Sequence, residues 1–370
     1  MATAAGVTKA NVSSPDEAMS DVAMSDVATP DVALSNAASP DVAPPMTATR
    51  AVVFAYHNVG VRCLKVLLDR GIDVALVVTH EDSPTENIWF ASVHQLARDA
   101  GIAAITPADP NSPEVIAQIR KIAPDFIFSF YYRFMLGDEI LAIPKQGALN
   151  MHGSLLPRYR GRVPINWAVL NGERSTGASL HYMVTKPDAG DLVAQVEVPI
   201  LANDTAGEVF DKVLVAAESA LWRALPSLLA GNPPRVALDL KAGSYFGGRR
   251  AEDGRIDWNI SVRAIHNLVR AVAPPYPGAF FDLAGHRFVV NESRVLLGGK
   301  PLTRAASARV RQSSVVDASP PSLLVAGDRI IVRKPDGELW LKQMLSDGEP
   351  CDARRLAVLL PVPLPLPLNV

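Results

Sequence analysis

Short apolar runs alternate with helix-like segments from residue 51 onward, and this alternation predicts the fold of the first part of the chain. The apolar runs suited to buried strands are residues 51–55, 73–79, 103–105, 125–130 and 147–151. Amphipathic helices are predicted over residues 60–69, 92–100 and 113–122, with a further short helix between residues 130 and 147. Strands that alternate with helices indicate an α/β fold, in which a parallel sheet carries helices on both faces.

The hydrophobic pattern changes beyond about residue 245. A long apolar-periodic helix over 205–229 ends the first part, which we assign as a domain over residues 50–245. A candidate helix at 261–272 is followed by short runs at 287–290, 322–326, 329–333 and 338–343, and P-D-G at 335–337 is a hairpin signal. These runs predict a small β-rich domain over residues 246–350. Residues 351–370, which end in alternating Pro and Leu, are predicted to form an extended tail.

Residues 1–49 differ in composition from the rest of the chain. This segment is rich in Ala, Ser, Asp and Pro, has no aromatic residue, and repeats D-V-A four times. Such a segment buries too little apolar surface to offset the entropy of folding, so we expect a disordered tail. Met46, just ahead of the first strand, is an alternative start of translation. The tail has a net charge of −5, which leaves +3 for the remaining residues.

Composition and charge narrow the function classes. No apolar run approaches the ~20 residues of a membrane span, and no secretory signal pattern is present, so we expect a cytoplasmic protein without membrane insertion. The two cysteines, Cys63 and Cys351, indicate buried thiols rather than a disulfide framework. The seven histidines lack metal-ligand spacing, so no metal is expected. The mildly basic charge suits anionic small molecules and falls short of a nucleic-acid signature.

The first predicted strand is not followed by a dinucleotide-binding turn. The sequence there is Y-H-N-V-G-V-R-C at 56–63, without the glycines of G-x-G-x-x-G. Those glycines allow the backbone to approach a pyrophosphate closely, so a nicotinamide or flavin cofactor is not expected.

The candidate chemistry lies at the end of the strand predicted over 147–151. Asn150 and His152 are two residues apart, so their side chains share a face at the carboxyl end of the strand, where ligands bind in such folds. An amide can donate to a developing oxyanion, and an imidazole can hold or move a proton. In isolation such a pair is more often structural. Here it precedes a turn-rich loop in which Arg158, Arg160 and Arg162 alternate, as candidate anion ligands on one side.

Two motifs at this point resemble the folate-dependent formyltransferases: N-M-H-G-S-L-L-P-R-Y-R-G-R at 150–162 and P-D-A-G-D at 187–191. The resemblance runs from about residue 50 to 295. It implies a Rossmann-like catalytic domain, a smaller open-barrel, OB-like domain behind it, and 10-formyltetrahydrofolate as the formyl donor. The catalytic Asn, His and Asp of the family fall on Asn150, His152 and Asp188. Asp188 alone could equally be a turn residue; in the catalytic role we expect it to raise the pKa of His152.

Within this family, one branch is especially similar. F-S-F-Y-Y-R at 128–133 and the stretches at 52–58, 152–167 and 270–280 resemble the enzymes that formylate UDP-4-amino-4-deoxy-L-arabinose for lipid A modification and polymyxin resistance. Methionyl-tRNA formyltransferases typically have Ala and Trp where this chain has Gly153 and Tyr159. The resemblance implies a folate site of Phe134, Met135, Leu136, Arg162, Val184, Thr185, Lys186, Pro187 and Asp188. Candidate walls of the sugar-nucleotide pocket are Tyr131, Tyr132 and Arg133.

Two other functions stay open at this point. Residues 241–342 contain 16 Lys and Arg against 9 Asp and Glu, and this excess would suit a methionyl-tRNA formyltransferase that grips tRNA. A folate-binding protein without catalysis is the other alternative, and the presence of Asn150, His152 and Asp188 argues against it. The expected partners are therefore folate and a UDP-amino sugar. The oligomeric state is not predicted.

Overall fold

The computed structural model describes residues 48–84, 87–297, 300–301, 320–360 and 365–368. The strands of the first part are β1 (Arg50–Ala55), β2 (Asp73–Val78), β3 (Ala104–Ile105), β4 (Phe126–Phe130), β5 (Gly147–His152), β6 (Arg160–Gly161), β7 (Ser175–Tyr182) and β8 (Leu192–Pro199). The helices there are α1 (His57–Asp69), α2 (Val93–Asp99), α3 (Pro113–Ile122), α4 (Asp138–Leu141), α5 (Pro164–Leu170) and α6 (Ala206–Leu229). The predicted tail up to residue 47, including Met46, lies outside the described residues.

The sheet of the first part has the strand order β3-β2-β1-β4-β5-β7-β8. The first five strands in that order are parallel, whereas β7 runs antiparallel to both β5 and β8. Strands β1 and β4 are buried almost throughout, because helices cover both faces of the sheet. The α/β fold predicted from the alternation of strands and helices is therefore confirmed.

Alternate residues of the central strands enter different hydrophobic clusters. Val53 and Phe128 pack on the face covered by α1 and α6. Their chain neighbours Val52 and Ile127 pack with residues of α3 and α4 on the other face. This period of two is the normal side-chain alternation of a strand, and it explains why these runs are apolar at every position.

The two antiparallel strands β7 and β8 were not predicted. β7 contains Thr176, Ser179 and His181, which are polar in sequence yet no more than 2% exposed. Edge strand β8 alternates between exposed and more buried residues, as expected for a strand with one solvated face. The predicted parallel sheet is confirmed for β1 to β5, and the structure adds an antiparallel edge whose buried hydroxyl and imidazole groups replace the apolar run.

A second, antiparallel sheet follows. Its elements are β9 (Tyr245–Phe246, in the connection), α7 (Val262–Val272), β10 (Ala279–Leu283), β11 (His286–Leu297), β12 (Lys300–Pro301), β13 (Ser322–Ala326), β14 (Arg329–Lys334), β15 (Gly337–Ser346), β16 (Glu349–Pro350), α8 (Ala353–Leu359) and β17 (Leu366–Pro367). The strand order is β10-β11-β15-β14-β13-β17, and α7 packs on it around a third cluster. Lys334 pairs with Gly337, which confirms the P-D-G hairpin and the β-rich second part.

Strand β11 is longer than its predicted counterpart at 287–290. Its second half could not be recognised from the sequence because residues 291–294, N-E-S-R, are polar. The register between β11 and β15 shifts on both sides of Glu292. Such a shift is a β-bulge, which bends the strand and increases its twist. The bulge therefore lets one strand curve through a partly open barrel.

The prediction of an extended tail over residues 351–370 was wrong for residues 353–359, whereas β17 is extended as predicted. Residues 353–359 form α8, and Leu366 in β17 pairs with Leu323 of β13. Leu356 is fully buried and Leu360 and Leu368 are each 2% exposed, so the end of the chain completes the second core. The burial of these leucines was not visible in an alternating Pro and Leu pattern, which is also typical of extended chain.

Helix α7 connects the two sheets through a buried guanidinium. Arg270 is 6% exposed and donates from Nη1 to the carbonyl of Asp204 and from Nη2 to the carbonyl of Val169, each at 3.1 Å. Its Nε donates to Asn267 Oδ1 at 3.0 Å. These bonds hold the second sheet against the β8–α6 connection and α5.

Two expectations from composition concern the whole molecule. No helix within the described ranges is long and apolar enough to cross a membrane. Cys63 and Cys351 are both buried free thiols, as expected.

The role of the chain end can be tested with two substitutions in α8. Leu356→Ala is expected to lower the free energy of unfolding by about 2–5 kcal/mol, because it removes a fully buried side chain and leaves a cavity. Val358→Ala on the same helix removes a side chain that is 79% exposed and should cost less than about 0.5 kcal/mol. Urea unfolding measures both. Equal costs would contradict the packing of α8.

Candidate active site

A cavity of about 480 Å³ opens at the carboxyl ends of β4 and β5. This volume is typical of sites that bind small molecules. Asn150, His152 and Asp188 all line it, together with His181 of β7. The structure therefore brings the three predicted catalytic residues together, although Asp188 is far from the other two in sequence.

Strand β5 places Asn150 and His152 on the same face. Asn150 lies opposite His181 of β7 in the antiparallel register, and His152 lies opposite Ser179. The amide Nδ2 of Asn150 is 3.2 Å from Nε2 of His181. An amide nitrogen has two hydrogens, so one of them remains for a ligand.

The ring of His152 is held at both nitrogens by protein groups. Nε2 is 2.8 Å from the carbonyl oxygen of Tyr159. Because a carbonyl only accepts, Nε2 carries a proton and donates it. Nδ1 is 3.5 Å from Oδ1 of Asp188. Nδ1 is therefore the nitrogen at which a proton can be taken up or released, beside a carboxylate.

Asp188 reaches the cavity from the loop that joins β7 and β8. Its backbone is in the left-handed region, with φ of 51°, a conformation that is uncommon for residues other than glycine and that recurs at functional sites. Oδ2 accepts a hydrogen bond from the Gly161 N–H at 2.8 Å, and Oδ1 is 3.6 Å from His181 Nε2. The carboxylate thus lies between two imidazoles and one backbone donor.

His181 is a site residue that the sequence did not predict. Its Nδ1 donates to the carbonyl of Tyr182 at 2.8 Å, so Nε2 is free to accept from Asn150 and faces Asp188. It therefore orients the Asn150 amide and lies beside the carboxylate. Its direction follows from the register of β7, and that strand had no apolar pattern by which it could be found.

The loop after His152 is fixed by the buried hydroxyls of two serines. Ser179 Oγ donates to the carbonyl of Ser154 at 2.6 Å and accepts from the Leu156 N–H at 3.1 Å and from Gln195 Nε2 at 2.8 Å. Ser154 Oγ donates to the carbonyl of Arg158 at 2.7 Å. The polar residues of β7 therefore shape the loop that carries the carbonyl bonded to His152.

Burial and nearby charge shift the pKa values of His152 and Asp188 in opposite directions. Burial lowers the pKa of His152, and the nearby Asp188 carboxylate and the Tyr159 carbonyl only partly offset this effect. Burial alone would raise the pKa of Asp188, but the positive charge of a protonated His152 and the hydrogen bond from the Gly161 N–H outweigh it and hold that pKa well below its usual range. Asp188 raises the pKa of His152, as expected, but burial outweighs this contribution, so the net direction is downward. The two groups are coupled: burial favours the neutral His152 ring, and a proton on that ring favours the ionised Asp188.

Most of the folate site implied by the resemblance lies on the cavity. The residues on its wall are Phe134, Met135, Leu136, Arg162, Val184, Pro187 and Asp188. Thr185 and Lys186 are exposed and are not on this wall; the Thr185 hydroxyl donates to Asp138 Oδ1 at 2.7 Å instead. Phe134 is 45% exposed, which leaves apolar surface at the mouth for a ligand to cover.

The two tyrosines that follow β4 lie in different environments. Tyr131 and Arg133 line the cavity, whereas Tyr132 stacks on His80 with 4.2 Å between ring centroids and packs in the core. The Tyr131 hydroxyl lies where a Cβ at Gly153 would be, so no larger residue fits at position 153 without moving the tyrosine.

The prediction that the three arginines of the loop share one side was wrong. Arg158 lies 3.7 Å from Glu173, Arg160 is buried, and only Arg162 lines the cavity. Among the described residues, no group of three or more His, Cys, Asp or Glu side chains could hold a metal ion.

A buried imidazole beside a carboxylate and an amide is a set of groups that can move protons and donate hydrogen bonds during group transfer. Residues 50–225 match the family described as Formyl transferase, and residues 249–358 match the Formyl transferase, C-terminal domain. The two matches together span more than three quarters of the chain. The chain therefore belongs to the formyltransferase family.

Several solved structures share the fold. The N-formyltransferase from Helicobacter canadensis, in complex with folinic acid and dTDP-3-aminofucose, is 18% identical with a TM-score of 0.60, over 80% of this chain and 99% of that one. WlaRD, a sugar 3N-formyltransferase solved with dTDP and 5-N-formyl-THF, is 18% identical with a TM-score of 0.60, over 80% and 98%. HypX from Aquifex aeolicus, solved with tetrahydrofolic acid, is 17% identical with a TM-score of 0.54, over 85% and 47%.

The charge on Asp188 can be tested through the titration of His152. Asp188→Asn removes the charge that favours the imidazolium, so the His152 pKa should fall further below its ordinary value. NMR of histidine-labelled protein across the pH range measures this shift. Asp191→Asn, in the same loop, makes the same charge change and should move the His152 pKa much less. A rise in this pKa in Asp188→Asn, or equal shifts in both variants, would contradict the pairing.

Proposed function

We propose that this protein transfers a formyl group from 10-formyltetrahydrofolate to the amino group of a nucleotide-linked amino sugar. The observation that carries the proposal is the convergence of Asn150, His152 and Asp188 on one cavity, in a chain of the formyltransferase family. We further propose UDP-4-amino-4-deoxy-L-arabinose as the acceptor. That acceptor would connect the reaction to lipid A modification and polymyxin resistance.

The cavity suits a folate as the formyl donor. Phe134, Met135 and Val184 expose between 45% and 58% of their surface at the same wall, and a flat, partly apolar ligand would cover them. Arg162 lies on the wall as a candidate partner for an anionic group. The folate would supply the activated formyl group, and the structures of the similar enzymes contain folinic acid, 5-N-formyl-THF or tetrahydrofolic acid.

His152 is suited to move the proton. An acceptor amine must lose a proton as its nitrogen bonds to the formyl carbon, and the departing nitrogen must gain one. His152 favours the neutral ring, so its Nδ1 has a lone pair ready to accept. Once protonated, the ring is stabilised by Asp188 on one side and by the Tyr159 carbonyl on the other. The same nitrogen can then return the proton to the departing nitrogen.

Asn150 is suited to stabilise the oxygen of the reacting formyl group. One hydrogen of its amide faces His181, and the second remains available at the cavity. Negative charge develops on that oxygen when the amine adds to the formyl carbon. A donor already fixed in place there costs little reorganisation, and such donors contribute roughly 10²–10³-fold to rate in other enzymes.

Two residues that mark the sugar branch have structural partners in this chain. Gly153 leaves the space that the Tyr131 hydroxyl occupies. Tyr159 stacks on Phe246 with 5.1 Å between ring centroids, and its hydroxyl donates to Glu173 at 2.8 Å. An Ala at 153 would require Tyr131 to move. Support for a sugar-nucleotide acceptor comes from the dTDP-3-aminofucose and dTDP found with the two similar sugar enzymes.

An assay with a panel of acceptors tests the proposed function. Turnover with 10-formyltetrahydrofolate should be far faster for UDP-4-amino-4-deoxy-L-arabinose than for methionyl-tRNA, and dTDP-amino sugars belong in the same panel. His152→Ala should lower the rate by roughly 10²–10⁴-fold with folate affinity nearly unchanged, because the loss falls on the transition state. Comparable turnover of methionyl-tRNA would overturn the proposed acceptor, and the basic second part of the chain would suit tRNA. Near-normal turnover by His152→Ala would overturn the mechanism.

A further inference from the structure

The connection between the two sheets pairs with the loop that carries the site. We call residues 243–248 the linker segment; it contains β9. β9 runs parallel to β6, and the N–H groups of Arg160 and Arg162 donate to the carbonyls of Ser244 and Phe246, each at 3.0 Å. In return the Ser244 N–H donates to the carbonyl of Pro157 at 3.2 Å. The linker segment is thus bonded along the length of this loop.

This pairing determines where the Gly161 N–H points. In an extended strand, successive N–H groups point to opposite sides. Because Arg160 and Arg162 both donate to the linker segment, the Gly161 N–H between them points away from it and reaches Asp188 Oδ2. Gly161 has φ of 95°, and a Cβ there would collide with the Phe246 carbonyl, so only glycine suits this position.

The linker segment also determines the place of the Tyr159 carbonyl. The Tyr159 N–H donates to Ser244 Oγ at 2.8 Å, and its ring stacks on Phe246 with an interplanar angle of 12°. Trp167 also stacks on Phe246, at 4.8 Å between centroids. Trp167 in turn donates from Nε1 to the Gly247 carbonyl at 3.0 Å. The Tyr159 carbonyl shares a planar peptide group with the Arg160 N–H. Because that N–H donates to the Ser244 carbonyl, the Tyr159 carbonyl points the opposite way, toward His152 Nε2.

We propose that Phe246 and Ser244 are positioning residues for catalysis. They touch none of the three catalytic side chains in the contacts described above. They act through the Tyr159 carbonyl and the Gly161 N–H, which orient His152 and Asp188 respectively. The segment that joins the two sheets is then part of the catalytic apparatus. This proposal rests on the proposed function for its kinetic consequences only.

The test removes the ring stack and follows both rate and His152. Phe246→Leu should lower kcat about 10–100-fold, because small misplacements of catalytic groups are costly, and leave KM for both substrates within about twofold. The acidic limb of the kcat profile should move to lower pH, since Asp188 and the Tyr159 carbonyl both favour the protonated ring. The ring-nitrogen NMR signals of His152 should shift in the same variant. Phe246→Tyr, which keeps a flat ring, should restore kcat.

The control is a matched stack in the second core. Phe281 stacks on Phe288 at 5.1 Å between centroids, and Phe281→Leu should lower stability without changing kcat or the His152 signals. An unchanged His152 spectrum in Phe246→Leu would overturn the positioning role, and so would an equal loss of kcat in both variants. No turnover of any acceptor by the wild type would instead count against the proposed function, and the NMR comparison would still decide the positioning role.

Discussion

The largely buried carboxylate of Asp188, placed beside two imidazole rings, is the feature on which the rest of the site depends. A buried carboxylate stays ionised only where hydrogen bonds and nearby positive charge replace the lost water. Here the Gly161 N–H supplies one bond, and a proton taken up by His152 at Nδ1 places positive charge 3.5 Å from Oδ1. The ionised Asp188 opposes the effect of burial on His152. An imidazole held between these opposing effects suits a group that must accept a proton and return it.

The orientation of this pair comes from backbone groups of one loop. A carbonyl fixes the His152 ring and an N–H fixes the Asp188 carboxylate. The loop itself is held by buried hydroxyls of β7 on one side and by the linker segment on the other. An active site of one sheet thereby depends on the chain that leads to the second sheet, which accounts physically for the two being joined in one compact unit.

The parts of the fold that could be predicted from the sequence are those in which buried segments are continuous apolar runs. Strands β1, β4 and β5 and helix α3 were found within one or two residues. Strand β7 was missed because its buried hydroxyl and imidazole groups bond to the catalytic loop and to the site. The pairing of His152 with Asp188 required the resemblance, since the contact exists only after β7 and β8 form a hairpin. The position of His181 and the role of the linker segment could not be predicted, because both depend on the register between strands, and local sequence patterns do not specify that register.

A double-mutant cycle on formyl transfer tests most directly whether His152 and Asp188 act as one unit. The rates of His152→Ala, Asp188→Asn and the double variant would be compared with the wild type at one pH. Because Asp188 acts on the reaction through the His152 ring, the double variant should lose little more than His152→Ala alone. A loss in the double variant equal to the product of the two single losses would show that the residues act independently, and would contradict the account.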